Sequence, residues 1–577
     1  MPRSYRFAAV LLLLLCAACA SRETGAALTG FSPFGGERVR VLVLHPGVTA
    51  TIVAPASLDL ARRVDLILYA LPNGNTTAET IGGRMSEGIG WRYDIQHIGA
   101  QTRALRARGL SQAVVVYLEA DTKSWPEWRR VRGYERANTR IVSIVDQLRA
   151  ALGDAQELAV TLTGHSGGGS FAWGFLDGQD SLPAWLERIA FLDSNYSFEY
   201  RHGEQLVQWL RADPRHTLVV LAYDDRNIML DGKKVVGDDG GTWRATSRML
   251  NYLREPFGFA TDTPGEFLRY RAAQIEVLLH PNPDNRILHT LMIGEMNGYM
   301  HALLVNRAGY DGGSLLRPAR AYADFVQDAV VLPAATPPDI PPRAASAPTG
   351  SQFIASLAGL SREEREAAIL RELLAGNMPS FLRELRTVEV SDTLSFQVMP
   401  DYLAIGSDAD FVRMPMTPYT AQAFCDAFGF VLPTAKMVDD IWAAATQHLE
   451  PRPLTQERES PRTFLQHHRI IEEQLARTPR GGFIAGHKKD VVVTNKLLER
   501  PDRVAIYGWH YPDGRPIQPV YAGHVDWYVD YSHGIRPVRR GMRVLGAERS
   551  FEDIMKDERL RHLLGNEGEI TALRYDR

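Results

Sequence analysis

The stretch of sequence that decides the fold is residues 158–168, which read LAVTLTGHSGG and place Ser166 between Gly164 and Gly168. An apolar run typical of a strand leads into this turn, and residues 170–176 continue it in a pattern compatible with a helix. A serine in so tight a turn has a strained backbone, and glycine is needed two positions to either side because larger side chains would collide there. The sequence therefore predicts a serine hydroxyl presented at the edge of a sheet.

The residues around this turn alternate between strand and helix patterns. Apolar residues recur at helical spacing in residues 138–151 and 204–211. Further strands are predicted where apolar runs lack polar alternation, as in strands buried on both faces: residues 38–44, 51–54, 65–70, 113–118, 188–192, 217–222 and 287–293. This alternation predicts an α/β fold with a mostly parallel sheet and helices on both of its faces.

The serine turn, in this setting between a strand and a helix, resembles the nucleophile elbow of the α/β-hydrolase superfamily, and the resemblance covers roughly residues 38–328. It implies that Ser166 attacks a carbonyl group and that an acid and then a histidine base follow along the chain. It also implies that the N–H of Gly167 stabilises an oxyanion, with a second donor in the loop after the third strand. Gly74 and Asn75 are the candidates in that loop, and an ordinary turn is the alternative. No cofactor is implied.

The histidine base is predicted to be His301. It follows the last apolar run, residues 287–293, and an amphipathic stretch comes after it, which resembles the final strand and histidine loop of the family. His289 falls inside that predicted strand, so we interpret it as a buried structural histidine.

The carboxylate behind the histidine has three candidates. Asp224 and Asp225 directly follow the strand predicted at residues 217–222, where the family usually carries its acid. Either could hydrogen-bond the imidazole, and the other would then pair with Arg226 or with solvent. Asp193, after the preceding strand, is the known family variant and the alternative.

The N-terminus has the order of an export signal, which we assign to residues 1–18: basic residues, a short apolar run and then small residues. Residues 16–19 (CAAC) resemble a bacterial lipoprotein box, although Cys16 stands where leucine is usual. The resemblance implies that Cys19 becomes the first mature residue and carries lipid. We expect an outer-membrane lipoprotein facing the periplasm, or a secreted protein if Cys19 is not modified.

The composition of the 577 residues is globular, with 45% hydrophobic and 23% charged residues. The net charge of -3 provides no basic field for phosphate backbones, so nucleic acid is not an expected partner. Prolines interleaved with Ala, Ser and Thr mark a linker at residues 329–350. It separates an α/β-hydrolase-like domain at residues 27–328 from an α+β domain at residues 351–577.

Local signals define helices in the C-terminal half. Residues 362–374 have the pattern of a charged helix. Thr417, followed by proline, marks another helix start, Gly429 marks its end, and a further helix begins at Thr434. Cys425 lies on the apolar face of its helix, which favours a small core residue over a thiol nucleophile.

The tail of the chain has strand-like stretches rich in polar aromatic residues. In one extended strand His524, Asp526 and Asp530 would share a face, with His487 or His533 completing a cluster. A hydrogen-bonded polar sheet face is the leading interpretation. A groove for a sugar or peptide and a site for a divalent metal such as Zn²⁺ are the alternatives.

Together these features predict an exported serine hydrolase that cleaves an ester, less readily an amide, through an acyl-enzyme on Ser166. The preference for esters rests on family analogy. The substrate is expected to be a small molecule or a component of the cell envelope, and the C-terminal domain is expected to be accessory. The alternatives are a non-catalytic envelope protein that binds a glycan or peptide, and a metal-dependent hydrolase with its site in the C-terminal domain.

Overall fold

The computed structural model describes residues 31–45, 47–152, 155–230, 232–261, 265–310, 318–329, 331–333, 335–336, 338–477 and 482–575. The chain forms two compact units. The first comprises Met1–Val41 and Thr49–Ala334, and the second comprises Leu42–Val48 and Ala335–Arg577. The predicted export signal and Cys19 lie outside the described residues. Among the described helices, none combines the length and the apolar character that a membrane span requires.

The first part of the chain contains strands β1 (Ser32–Phe34), β2 (Glu37–His45), β3 (Val48–Pro55), β4 (Arg63–Ala70), β5 (Ala113–Ala120), β6 (Glu157–His165), β7 (Leu186–Leu192), β8 (Thr217–Tyr223), β9 (Met229–Leu230), β10 (Lys233–Lys234), β11 (Ala260–Thr261), β12 (Leu268–Ala272) and β13 (Ile275–His280). Its helices are α1 (Thr77–Ile81), α2 (Ile98–Ala107), α3 (Trp125–Arg132), α4 (Tyr134–Ala150), α5 (Gly169–Asp177), α6 (Tyr200–Ala212), α7 (Thr242–Arg254) and α8 (Gly298–Leu304).

One large sheet organises the first unit, with the strand order β1-β2-β3-β5-β4-β6-β7-β8-β13-β12-β11. The centre is parallel: β4 lies between β5 and β6, and β7, β8 and β13 continue in the same direction. Antiparallel pairs form the edges, β1 on β2 at one side and β12 and β11 beyond β13 at the other. This arrangement confirms the predicted α/β fold with a mostly parallel sheet.

Both faces of the central strands are buried. Leu66, Ile67 and Leu68 of β4 follow one another and point alternately to opposite faces, yet each is at most 1% exposed. Helices on each face provide the apolar cover; α4, for example, buries Ile141 and Leu148 along its length. Continuous apolar runs in the sequence therefore correspond to strands with two buried faces.

The predicted strand at residues 287–293 is wrong. These residues form consecutive turns held by local hydrogen bonds, such as the one that the N–H of Met292 donates to the carbonyl of Leu288 at 3.0 Å. The last parallel strand is instead β13, whose apolar run is interrupted by Glu276. That carboxylate is buried but paired with Arg269 and His301, so a polar residue is tolerated in a central strand.

The second part of the chain contains strands β14 (Arg386–Ser391), β15 (Leu394–Val398), β16 (Ala404–Gly406), β17 (Phe411–Arg413), β18 (Phe430–Val431), β19 (Gln447–His448), β20 (Ile484–Ala485), β21 (Lys489–Val491), β22 (Arg503–His510), β23 (Pro516–Val525), β24 (His533–Gly534), β25 (Val538–Arg539), β26 (Gly541–Val544) and β27 (Ala547–Ser550). Its helices are α9 (Gly350–Ser356), α10 (Arg362–Leu374), α11 (Pro418–Phe428), α12 (Ala435–Ala444), α13 (Pro461–Leu475), α14 (Lys496–Glu499) and α15 (Phe551–Lys556).

Two sheets position the polar residues of the second unit. One has the order β18-β25-β15-β26-β27 with β14 paired to β15, and the other has the order β23-β22-β21-β24. The helix predictions in this region are confirmed: Thr417 caps α11 by accepting from the N–H of Thr420, Gly429 ends it in the left-handed conformation, and Thr434 caps α12. Cys425 is fully buried in the core, and burial raises the pKa of its thiol.

Candidate active site

The serine turn is built as an elbow between β6 and α5. Strand β6 ends at His165, and Ser166 has a φ of 54°, the left-handed region that L-residues other than glycine avoid. Holding a serine there costs on the order of 1–3 kcal/mol. A single turn of 3-10 helix then leads into α5, and Ser166 is partly exposed.

The glycines around Ser166 are required by close packing. A Cβ atom on Gly168 would lie 2.2 Å from the carbonyl oxygen of Ala70, and a Cβ on Gly164 would lie 2.8 Å from the same oxygen. A Cβ on Gly169 would lie 2.0 Å from the carbonyl oxygen of Ser194. Backbone atoms cannot move aside as a side chain can, so these contacts explain why the turn admits only glycine at these positions.

A histidine–carboxylate pair lies in the connections that follow β7 and β13. Asp193 directly follows β7, and its Oδ2 accepts a short hydrogen bond from Nδ1 of His289. The carboxylate is 1% exposed, whereas the imidazole is 25% exposed. Because a carboxylate only accepts, Nδ1 carries the proton, and Nε2 is left as the basic nitrogen.

A threonine holds the other oxygen of this carboxylate. The hydroxyl of Thr242, at the first residue of α7, donates to Oδ1 of Asp193. The backbone N–H of Thr242 donates to Oδ2 of Asp225 at 2.8 Å. Thr242 therefore lies between two buried carboxylates, of which only Asp193 contacts the histidine. Both oxygens of Asp193 are satisfied, which fixes its orientation.

Two neighbours connect Ser166 to this pair. The ring of His165 lies 4.4 Å from the ring of His289, and its Nε2 contacts the carbonyl oxygen of His289 at 3.0 Å. Tyr196 lies near Ser166, and burial of its hydroxyl together with the charges of Asp193 and Asp225 raises its pKa. The serine and the His289–Asp193 pair therefore belong to one site at this edge of the sheet.

His301 does not take part in this site, and the prediction that it is the base is wrong. Its Nε2 lies 2.7 Å from Oε1 of Glu276, and its Nδ1 lies 2.7 Å from the hydroxyl of Tyr310. The residue is fully buried, and both ring nitrogens are occupied. His301 is thus a structural histidine, whereas His289, interpreted as structural from the sequence, is the histidine that packs against His165, the residue before Ser166.

The leading acid candidates are also placed elsewhere. The carboxylate of Asp224 pairs with Arg226, with contacts of 2.6 and 2.8 Å, as expected for the aspartate that does not hold the histidine. Asp225 is buried next to Thr242, and its Oδ1 has no hydrogen-bond partner among the described residues. Burial and the charge of Asp193 raise the pKa of Asp225 to about 6, against hydrogen bonding from Thr242. The aspartate that contacts a histidine here is the alternative, Asp193.

The N–H groups of the predicted oxyanion donors, in the loop after β4, already donate to backbone carbonyl groups. The N–H of Gly74 donates to the carbonyl of Lys123 at 2.8 Å, and the N–H of Asn75 makes a long contact of 3.4 Å with the carbonyl of Pro72. Asn73 is the loop residue that reaches the elbow, because a Cβ on Gly167 would lie 1.9 Å from its Oδ1.

The polar residues predicted to form a ligand site in the tail are only partly brought together. Strand β23 ends at Val525, and the turn that follows sends Asp526 to the hydroxyl of Tyr419 at 2.7 Å. His487 contacts Asp401 instead, at 3.1 Å. His524, Asp530 and His533 do share one neighbourhood. In the described part of the chain, no group of three or more His, Cys, Asp or Glu side chains is arranged to hold a metal ion.

Sequence reasoning missed three residues of the site, namely His289, Thr242 and Tyr196. The sequence does contain a signal for His289. The mainly apolar residues 275–280 are followed by a turn sequence, Asn-Pro-Asp-Asn at residues 282–285, and then by His289. This order of strand, turn and histidine resembles the histidine loop of the family. Thr242 and Tyr196 had no local signal, because their contacts with Asp193 and Ser166 depend on tertiary packing.

The sheet, the elbow and the histidine–carboxylate pair give the first unit an α/β-hydrolase-type fold. No protein-family model matches the chain, and no curated protein matches its sequence. Among solved structures, it is similar to the siderophore hydrolase EstB from Aspergillus nidulans (13% identity, 47% of this chain and 94% of that chain, TM-score 0.26). It is also similar to the native thermophilic esterase Est2 from Thermogutta terrifontis (12% identity, 48% and 96%, TM-score 0.27).

Proposed function

We propose that the first unit is a serine hydrolase that cleaves an ester through an acyl-enzyme on Ser166, with His289 as the base and Asp193 as the carboxylate behind it. The observation that carries this proposal is a strained, partly exposed serine whose preceding residue, His165, packs against a histidine whose Nδ1 is held by a buried carboxylate. A serine hydroxyl alone is a weak nucleophile and needs such a base.

The roles of the three groups follow from their hydrogen bonds. Nε2 of His289 accepts the proton of Ser166 as the hydroxyl oxygen attacks the carbonyl carbon of the substrate, and later returns it to the leaving alkoxide. Asp193 keeps the proton on Nδ1 and stabilises the imidazolium that forms. Thr242 holds Asp193 in place. In serine proteases, changing the carboxylate of a triad to an amide lowers kcat by about 10⁴-fold.

The oxyanion of the tetrahedral intermediate needs donors on the other side of Ser166. The N–H of Gly167, at the start of the helical segment, has the favourable position and the favourable helix dipole. Asn73, whose side chain packs against Gly167, is the proposed second contributor in place of Gly74 and Asn75. No cofactor enters this mechanism.

Labelling with a fluorophosphonate probe tests the proposal. The probe reacts with an activated serine, so wild-type protein should be labelled and Ser166→Ala should not. Asp193→Asn should be labelled far more slowly, because Asn cannot stabilise the imidazolium. Asp224→Asn is the matched control, since Asp224 pairs with Arg226, and it should be labelled like wild type. Wild-type protein that resists the probe would favour a non-catalytic scaffold and would contradict the proposal.

We further propose that the protein is exported and anchored by lipid on Cys19, so that its substrate is an ester within the cell envelope or one entering it. The support is the sequence of the leader alone: its basic, apolar and small residues in order, and the CAAC box. Incorporation of labelled palmitate into the wild-type protein, and its loss in Cys19→Ala, is the expected result. Equal labelling of both proteins would contradict the anchor at Cys19.

A further inference from the structure

A buried histidine without partners marks a polar cluster in the second unit. His533 is 1% exposed, and neither of its ring nitrogens has a hydrogen-bond partner among the described residues. A buried polar group without a partner destabilises the folded state. Burial lowers the pKa of His533 to about 4, so at neutral pH the ring offers one donor and one acceptor, both unused. A hydrogen-bond partner for such a group has to come from outside the protein.

A lysine lies beside this histidine on the same face of the sheet. Lys489 on β21 and His533 on β24 are direct partners in a parallel pair, so their side chains point to the same side. The Lys489 ammonium lies 5.1 Å above the ring of Trp509 and forms no ion pair within the described residues. The indole N–H of Trp509 is likewise buried and unpaired in the described residues.

The nearby carboxylate does not neutralise Lys489, because it is already engaged. Asp530 accepts from Arg458 at 2.5 Å, from the hydroxyl of Tyr528 at 3.1 Å and from the hydroxyl of Ser532 at 2.5 Å. The Asp530–Arg458 pair is neutral as a whole, which leaves the positive charge of Lys489 for a bound anion.

Aromatic rings lead from the surface to this cluster. Tyr521 is 43% exposed and contacts the ring of His524 at 5.2 Å, His524 stacks on Tyr528 at 4.4 Å, and Tyr528 lies 5.8 Å from the ring of His533. Aromatic faces of this kind pack against the apolar C–H face of a pyranose ring, while the hydroxyl groups of a sugar both donate and accept as His533 requires.

We propose that this cluster is a binding site for an acidic saccharide, with a uronic acid carboxylate on Lys489, a sugar hydroxyl on His533, and the ring against His524 and Tyr528. The site is independent of Ser166. A carboxylate fits Lys489 because an ammonium–carboxylate hydrogen bond is about twice as strong as a neutral one. A saccharide is favoured because one hydroxyl both donates and accepts and because the rings of His524 and Tyr528 match the C–H face of a pyranose.

Isothermal titration of the full chain with trigalacturonate tests this site, with tryptophan fluorescence as a second signal from Trp509. Wild-type protein should bind trigalacturonate saturably and should not bind the neutral trisaccharide maltotriose. Lys489→Gln should weaken binding at least tenfold, which corresponds to about 1.4 kcal/mol. The exposed Lys556 on α15 provides the control, and Lys556→Gln should bind as wild type does. Ser166→Ala should also bind normally.

Control ligands distinguish an acidic saccharide from other anions that could bind at this site. Inorganic phosphate and triaspartate carry the charge without the sugar ring, so both should bind at least tenfold more weakly than trigalacturonate. The proposal would be overturned if wild-type protein does not bind trigalacturonate, or if it binds phosphate, triaspartate or maltotriose equally well. It would also be overturned if Lys489→Gln binds trigalacturonate as tightly as wild type does. If thermal unfolding shows that Lys489→Gln is not folded, His524→Ala, which changes a partly exposed ring, replaces it and should weaken binding at least tenfold.

Discussion

Replacing Asp225 by asparagine should stabilise the protein at pH 8 and leave its activity intact. The pKa of Asp225 lies at about 6 instead of the ordinary 3.8, because burial and the charge of Asp193 disfavour its ionised form. The folded state therefore binds a proton more tightly than the unfolded state, and stability falls as pH rises from about 4 to about 6. Each tenfold change in proton affinity corresponds to about 1.4 kcal/mol, so the ionised carboxylate costs about 3 kcal/mol above pH 7.

Asparagine removes this cost while its side-chain oxygen can still accept from the N–H of Thr242. Urea unfolding between pH 4 and pH 8 should show Asp225→Asn gaining stability over wild type as pH rises, up to about 3 kcal/mol. Asp224→Asn should instead lose stability above pH 4, because hydrogen bonds from Arg226, which outweigh burial, lower the pKa of Asp224. A loss of stability at pH 8, or a loss of activity, in Asp225→Asn would refute this reasoning.

Other expected outcomes concern the elbow and the core. Ser166→Gly should raise the free energy of unfolding by about 1 kcal/mol by removing the strain at a φ of 54°, and an unchanged or lower value would count against that strain. Gly168→Ala should destabilise the protein by about 1–3 kcal/mol, because its Cβ would clash with the carbonyl oxygen of Ala70. Gly258→Ala is the control and should leave the stability unchanged, because no atom lies within 4 Å of its Cβ. Equal thermal stabilities of the two variants would contradict the clash. Cys425 is buried and should react with a thiol reagent only after unfolding, so rapid modification of Cys425 itself, located by peptide mapping of the folded protein, would contradict its placement in the core.

The parts of the fold that sequence predicts well are those whose signals are local. Helix α11 begins after Thr417 and ends at Gly429 because a capping hydroxyl, a proline and a left-handed glycine act within a few residues. The elbow at Ser166 is likewise a local device. Strands β4 to β8 were predictable because each is an apolar run buried on both faces.

The sequence-based predictions were wrong where the role of a residue depends on contacts with residues distant in the sequence. Glu276 places a charge inside the apolar run of β13, and that strand was therefore not predicted, although in the fold the charge is paired with Arg269 and His301. Missing that strand moved the expected last strand to residues 287–293 and the expected base from His289 to His301. The choice among Asp193, Asp224 and Asp225 likewise depends on which carboxylate reaches the imidazole, which chain order does not determine.

The rate at which a fluorophosphonate reacts with Ser166 in two histidine variants tests the central claim most directly. If His289 is the base, His289→Gln should lower the second-order rate constant at least ~10³-fold. His301→Gln, compared at equal concentrations of folded protein, should react within about fivefold of wild type, because His301 contacts Glu276 and Tyr310 instead of the nucleophile. A reaction that survives in His289→Gln and fails in folded His301→Gln would contradict the account.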